Sequence, residues 1–186
     1  EWETAPTAAR DRIAAQTPVR PGAAALRIAQ HRGREKRFAA SCGAATVDWR
    51  PVDSATALAD ALKALDGPAI LKSARLGYDG KGQIRLKPGD DGDAAWATLW
   101  ADQTPPADAD EPAILEAMTP FACEISVIVA RSVHGAIAAF PAAENDHSGG
   151  ILRASACPAL IAPAVGAEAE RLARAMAEEL DLVGLL

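Results

Sequence analysis

The stretch Ile70–Leu86, "ILKSARLGYDGKGQIRL", decides how the chain is read. The apolar residues around Lys72 and again around Ile84 have the composition of two short strands, and Gly77, Gly80 and Gly82 mark a turn between them. That turn is richer in glycine than a hairpin requires, and it carries Tyr78, Asp79 and Lys81. Glycines let backbone N–H groups face a ligand with no Cβ in the way, and Lys72 and Lys81 bring positive charge to the same end of the hairpin. Phosphates are cradled in this manner, although a flexible loop with solubilising lysines has the same composition. The pattern is neither the G-x-x-x-x-G-K-[ST] loop nor a G-x-G-x-x-G turn opening a helix. Lys72 sits among apolar strand residues, where a buried ammonium needs a compensating anion such as a phosphate; on the other face of the strand it would simply meet water.

Outward from this hairpin the elements follow from periodicity and punctuation. Residues 7–16 read as a short helix and "TPVRPG" as a turn. Residues 22–42 read as one helix stopped by Gly43, with Gly33 as its weak point, costing about 1 kcal/mol relative to Ala. "TVDWRPV" reads as a strand, and "DSATALADALKALDG" as a helix capped by Asp53 or Ser54 and stopped by Gly67. After Leu86, "DDGDAAWATLW" reads as a capped helix with Trp96, Leu99 and Trp100 facing a core. A loop rich in Pro and Asp follows, and then a strand, "AILEAMT". From Phe121 the pattern predicts longer strands over "CEISVIVARS", "GAIAAFPAAEN" and "ILRASACPA", with turns at "VHG" and "DHSGG", and a final helix from about Gly166 to Leu180. The fold class is α+β, with a small lobe over roughly 46–115 and a second lobe with an antiparallel sheet over 116–186.

Composition narrows the function. The 186 residues are 49% hydrophobic and 24% charged, the balance of an ordinary folded chain rather than a disordered one. A net charge of −6 argues against nucleic-acid binding over the whole surface. Charge is nevertheless uneven: eight Lys and Arg lie between Arg10 and Arg37, and seven acids with no base lie between Asp90 and Glu111. A small anionic ligand near the basic segment is compatible with this. Cys42, Cys123 and Cys157 are far apart, with no CxxC and no His at metal spacing, so neither a disulfide framework nor a zinc site is indicated. No apolar run of about 18 residues and no basic-then-apolar leader occurs, which points to no membrane span and a cytoplasmic location. The opening "EWETAP" and the closing apolar "DLVGLL" read as the cut ends of a fragment.

Glu116 closes one strand and Glu124 opens another, positions from which carboxylates can accept hydrogen bonds from an adenine amino group or ribose hydroxyls; both also read as surface acids. His147 reads as a loop histidine, and Trp96 and Trp100 as core.

Taken in order, "QHRGREKRF", "ILKSARLGYDGKGQ", "AILEAMTPFACEISVIVARS" and "FPAAENDHSGGILRASACPA" resemble the ATP-grasp enzymes. The likeness is strongest to those that carboxylate 5-aminoimidazole ribonucleotide in de novo purine synthesis. The resemblance implies two α+β lobes sandwiching ATP, with residues 1–30 as the end of a preATP-grasp domain and linker. Residues 31–115 would be a linking helix and the small lobe, and 116–186 a larger lobe incomplete at its C-terminus. It implies that Arg32, Lys72 and His147 contact ATP and that Gly77, Tyr78, Asp79, Gly80, Lys81, Gly82 and Gln83 close over the phosphates. Glu116, Ala117, Met118 and Thr119 would form the adenine hinge, and Glu124 would hold the ribose. Tyr78 and Lys81 would also meet the ribonucleotide, with Asp79 and Lys81 at the reacting centre. ATP with Mg²⁺, bicarbonate and the ribonucleotide would be the reactants, passing through carboxyphosphate, in a homodimer. His31 stands where the family often has Asp, and Leu76 where it often has Gly. The family's metal-binding Glu and its "NE" segment lie beyond Leu186, so the resemblance implies no metal ligand in this chain. Another ATP-grasp carboxylate–amine ligase, or a nucleotide-binding module without catalysis, are the alternatives.

Overall fold

The computed structural model describes residues 5–75, 82–102, 105, 111–148 and 151–186. In chain order the helices are α1 Thr7–Ala14, α2 Ala23–Ala29, α3 Arg32–Ser41, α4 Ala55–Leu65, α5 Gly92–Leu99 and α6 Pro163–Glu179. The strands are β1 Trp49–Val52, β2 Ala69–Ser73, β3 Gln83–Leu86, β4 Ala113–Ala117, β5 Glu124–Ser126, β6 Val129–Arg131, β7 Ile137–Ala139, β8 Ala143–Ser148, β9 Ile151–Ala156 and β10 Gly184–Leu185. They divide into two compact units, one of Glu1–Gln30, Arg34–Ala45 and Phe121–Leu186, the other of His31–Gly33 and Thr46–Pro120.

In the unit containing Thr46–Pro120, the hairpin expected around Lys72 forms: β2 and β3 pair antiparallel, with Lys72 opposite Gln83 and Ala69 opposite Leu86. The sheet has the order β1-β4-β2-β3, antiparallel throughout. Period-two alternation sends Ala69, Leu71 and Ser73 of β2 into buried positions and leaves Ile70 and Lys72 half-buried on the opposite face. On the buried side, Val52, Leu71, Leu86 and Leu115 pack against Leu58, Ala61 and Leu62 of α4 and Ala95 and Leu99 of α5. Trp96 and Trp100 pack against the margin of this core, edge to face with centroids 5.7 Å apart.

Local signals fix the two helices. Ser54, rather than Asp53, caps α4, its hydroxyl accepting from the Ala57 amide at 3.2 Å. The helix stops one residue earlier than expected, because Asp66 and not Gly67 adopts the left-handed conformation, with φ of 44°. Asp91 caps α5 by accepting from the amides of Asp93 and Ala94. Gly92, at the start of α5, lies against the α4 backbone; a Cβ there would come within 3.4 Å of the Ala59 nitrogen.

The helix expected over 22–42 is two helices, and the break is at Gln30–His31 instead of Gly33. Tertiary bonds decide this. The Arg32 amide donates to the Ala74 carbonyl at 2.9 Å, and the His31 ring is engaged by the Glu111 carbonyl. Gly33 is buried inside α3.

The other unit contains two three-stranded antiparallel sheets, β10-β6-β7 and β5-β8-β9, where one was expected. The long strand read over "CEISVIVARS" is interrupted at Val127–Ile128, so that β5 joins one sheet and β6 the other. "GAIAAFPAAEN" divides in the same way at Phe140–Ala142, where Pro141 has no amide to continue a ladder. The Phe140 amide donates to the Ile128 carbonyl at 2.8 Å, tying the two crossing points together. Val129, Leu182 and Ala25 are buried in one cluster with Ala177 of α6, and Ala173 of the same helix packs against it. Of the turn expected at "DHSGG", Asp146, His147 and Ser148 are strand residues of β8, and Gly149 and Gly150 lie outside the described residues. Among the described residues no helix is long and apolar enough to cross a membrane.

Candidate functional site

In the sheet of the Thr46–Pro120 unit, register determines which side chains share a face. Glu116 stands opposite Ile70 on β2 and Trp49 on β1, while Lys72, two residues beyond Ile70, stands opposite Ile114 on β4 and Gln83 on β3. Trp49, Lys72, Gln83 and Glu116 therefore lie on one face, the one turned away from α4 and α5. Lys72 Nζ donates to Glu116 Oε2 at 2.8 Å, a diagonal cross-strand ion pair whose side chains are 23% and 11% exposed. The anion that an apolar-strand lysine demands is thus supplied within the protein by Glu116, a partner the spacing of 44 residues does not reveal.

The Lys72 end of β2 also gathers Arg32. Its guanidinium Nη1 donates to the Ser73 carbonyl at 2.9 Å, beside its amide bond to Ala74. The Ser73 amide in turn donates to the Gly82 carbonyl at 3.0 Å, which ties the residue preceding β3 to the same strand end. Arg32, forty residues before Lys72, is brought here together with Lys72, Gly82 and Gln83. Gly77, Tyr78, Asp79, Gly80 and Lys81 lie outside the described residues. Of the segment Glu116–Thr119, the Ala117 amide is bonded to the Asp48 carbonyl and the Met118 amide to the Pro68 carbonyl, at 2.9 and 2.8 Å. These bonds hold the segment's backbone in place.

The second group of residues belongs to the β5-β8-β9 sheet. Glu124 stands opposite Asn145, and His147 is two residues beyond Asn145 on β8, so the pair is again diagonal; a register shift falls between Asp146 and His147. His147 Nδ1 lies 2.9 Å from Glu124 Oε2, the two side chains being 34% and 43% exposed. Both line an open cleft of about 520 Å³ together with Phe121, Cys123 and Asp146. Asn145 links the three strands: its Nδ2 donates to Ser126 Oγ at 3.1 Å, and its Oδ1 accepts from Ser155 Oγ at 2.7 Å. Sequence reading did not single out Asn145, Trp49 or Asp48. The unbroken polar run of β8, Glu144 to Ser148, is the one signal that could have found Asn145.

Among the described residues no group of three His, Cys, Asp or Glu side chains converges as a metal site requires. The cysteines 42, 123 and 157 are free thiols.

The sheet thus carries a lysine–glutamate pair on its open face and is backed by α4 and α5. Residues 37–186 match the family of the ATP-grasp domain, and the chain belongs to the ATP-grasp family, with the α+β fold that its sequence implies. Its relatives are more particular. The chain is similar to the N5-carboxyaminoimidazole ribonucleotide synthase of Brucella melitensis biotype 1, 42% identical over 186 residues, which are 100% of this chain and 49% of that protein. Among solved structures, it is similar to an N5-carboxyaminoimidazole ribonucleotide synthetase in complex with ADP, with a TM-score of 0.88 and 34% identity over 100% of this chain and 47% of that one. The synthetase from Thermus thermophilus gives a TM-score of 0.86 and 35% identity over 100% and 48%. The chain spans about half the length of the curated relatives it matches.

Proposed function

We propose that this chain is the nucleotide-binding portion of an ATP-dependent carbon–nitrogen ligase that carboxylates 5-aminoimidazole ribonucleotide with bicarbonate. The observation that carries the reading is the gathering of Lys72, Gln83 and Glu116 on one sheet face, with Arg32 bonded to the Ser73 carbonyl at the same strand end. The names of the relatives and the ADP bound in one of them support the same substrates. In this reading residues 1–30 end a preceding domain, 31–115 form the linking helix and small lobe, and 116–186 begin the larger lobe.

The chemistry requires two transfers. Bicarbonate oxygen attacks the γ-phosphorus of ATP, giving carboxyphosphate and ADP; the exocyclic amine of the ribonucleotide then attacks the carboxyphosphate carbon, phosphate leaves, and the amine loses a proton. The task of this chain is to bind and orient. Lys72 and Arg32 present positive charge to the phosphates, and Lys72 is held ready by Glu116. Residues 116–119 receive the adenine, and Glu124 and His147 the ribose and its neighbourhood. Gly77–Gln83 close over the phosphates, excluding water from an intermediate that hydrolyses readily, with Tyr78, Asp79 and Lys81 meeting the second substrate. Mg²⁺ would accompany ATP and neutralise charge on the phosphates. The protein is proposed to act in the cytoplasm as a homodimer.

The test is ADP release by the full-length protein with Mg-ATP and bicarbonate, with and without 5-aminoimidazole ribonucleotide. Release that depends strongly on the ribonucleotide supports the carboxylase. Release that ignores it moves the activity to another acceptor, and the absence of ATP binding removes the ligase reading altogether.

A further inference from the structure

His31 and Arg32 are consecutive, yet they are held by different segments of the fold. Arg32 is bonded to two successive carbonyls, Ser73 through its guanidinium and Ala74 through its amide, both at 2.9 Å. The Ala74 amide continues the chain of bonds to the Pro112 carbonyl at 2.8 Å. One residue earlier, the Glu111 carbonyl meets His31 Nε2 at 3.2 Å, and His31 is only 4% exposed. The circuit therefore closes: His31 to Glu111, Pro112 to Ala74, Ala74 back to Arg32. Gly33 makes room for it. A Cβ at that position would lie 2.9 Å from Glu111 Oε2 and 3.3 Å from the His31 ring.

We propose that His31 is a positioning residue for Arg32, clasping the Glu111–Pro112 segment so that the guanidinium is held at the Lys72 end of β2. The inference rests on Arg32 being an ATP contact, as in the reading above. A carbonyl acceptor at Glu111 selects a side chain that can donate an N–H, which the imidazole does through Nε2 and a carboxylate in its place could not do at neutral pH. Burial makes the bond matter, because an unsatisfied carbonyl and a cavity replace it when the ring is removed. His31 acts on nucleotide through Arg32 and touches no substrate itself.

The experiment measures ATP affinity of the full-length protein as wild type, His31→Ala, His31→Gln, Arg32→Ala and the His31→Ala/Arg32→Ala double variant. His31→Ala should weaken ATP about fivefold to tenfold where Arg32 is present, the size of one positioned hydrogen bond, and by less than about twofold in the Arg32→Ala background. His31→Gln, which keeps an N–H donor, should restore most of the loss. Equal losses in both backgrounds, or no rescue by Gln, would overturn the positioning role. Gly33→Ala is the second variant should His31→Ala not fold, since its methyl group would crowd both Glu111 and the His31 ring at the clasp, and it should show the same non-additivity. If Arg32→Ala itself leaves ATP affinity unchanged, the assignment of Arg32 to the nucleotide fails. Hydrogen exchange at the Arg32 amide then decides the clasp alone: faster exchange in His31→Ala sustains it, and unchanged exchange removes it.

Discussion

Lys72 Nζ lies 2.8 Å from Glu116 Oε2, across neighbouring antiparallel strands and one pleat apart in register. A pair so placed serves two purposes that one mutation separates poorly. Lys72→Ala removes an ion pair that is mostly withdrawn from water, and it removes the charge proposed to meet phosphate. ATP binding to the full-length protein should weaken by about 1.5–3 kcal/mol, the worth of a charge-assisted hydrogen bond. Glu116→Gln, which keeps an acceptor for Lys72, should lower the melting temperature less than Lys72→Ala does. An unchanged dissociation constant for ATP in Lys72→Ala, measured by calorimetry, would take Lys72 out of the site.

The Glu124–His147 contact is more exposed, and its intrinsic worth to stability is correspondingly small. A double-mutant cycle on Glu124→Gln and His147→Ala should give a coupling of about 0.2–1 kcal/mol in unfolding free energy. Its importance is expected in ligand choice. If Glu124 holds ribose hydroxyls, the full-length protein should bind ATP more tightly than 2′-deoxy- or 3′-deoxy-ATP, and Glu124→Ala should erase that preference. Discrimination that survives the substitution would assign ribose recognition elsewhere.

Much of this was legible in the chain, and the limits are physical. The β2–β3 hairpin, the helix after Ser54 and the helix after Asp91 were readable because alternation, caps and glycines are local signals. The break at Gln30–His31 was not, because it is made by carbonyls of Ala74 and Glu111 that come from distant segments. For the same reason Glu116 was read as a strand-end acid and not as the counter-charge of Lys72. The strands after Phe121 were read too long because apolar character continues through Val127 and Ile128 while the chain changes sheets. Strand-long apolarity cannot distinguish one sheet from two. Asn145, whose work is to bond Ser126 and Ser155 on its neighbours, carries only the weak signal of a polar run along β8, which gains meaning once the pairing is known.

Stability should follow the small core between the four-stranded sheet and the helices α4 and α5. Leu71 and Leu58 are fully buried, and either one changed to Ala should cost about 2–5 kcal/mol through lost burial and the cavity left behind. Ser54→Ala, which removes the cap of α4, should cost about 1 kcal/mol. Denaturant unfolding of the chain would check the ordering; a Ser54→Ala effect as large as that of Leu71→Ala would mean that α4 is held by its cap more than by its apolar face.

On α6 the Arg171 guanidinium donates to the Glu168 carboxylate and holds its pKa below the ordinary value, while the Arg171 pKa is raised in turn. A carboxylate with a depressed pKa in the folded state contributes stability that is fully present above its unfolded value and is lost as pH falls through the folded one. The contribution should therefore fade only in mild acid to acid, and it should be minor, since both side chains are half in water and three residues apart on a helix surface. Glu168→Gln should flatten this part of the pH–stability profile and leave the melting temperature at neutral pH almost unchanged. High salt should mimic the substitution, because an exposed pair is screened. A large loss at neutral pH would show that Glu168 makes contacts beyond Arg171, for which the geometry of the described residues offers no partner.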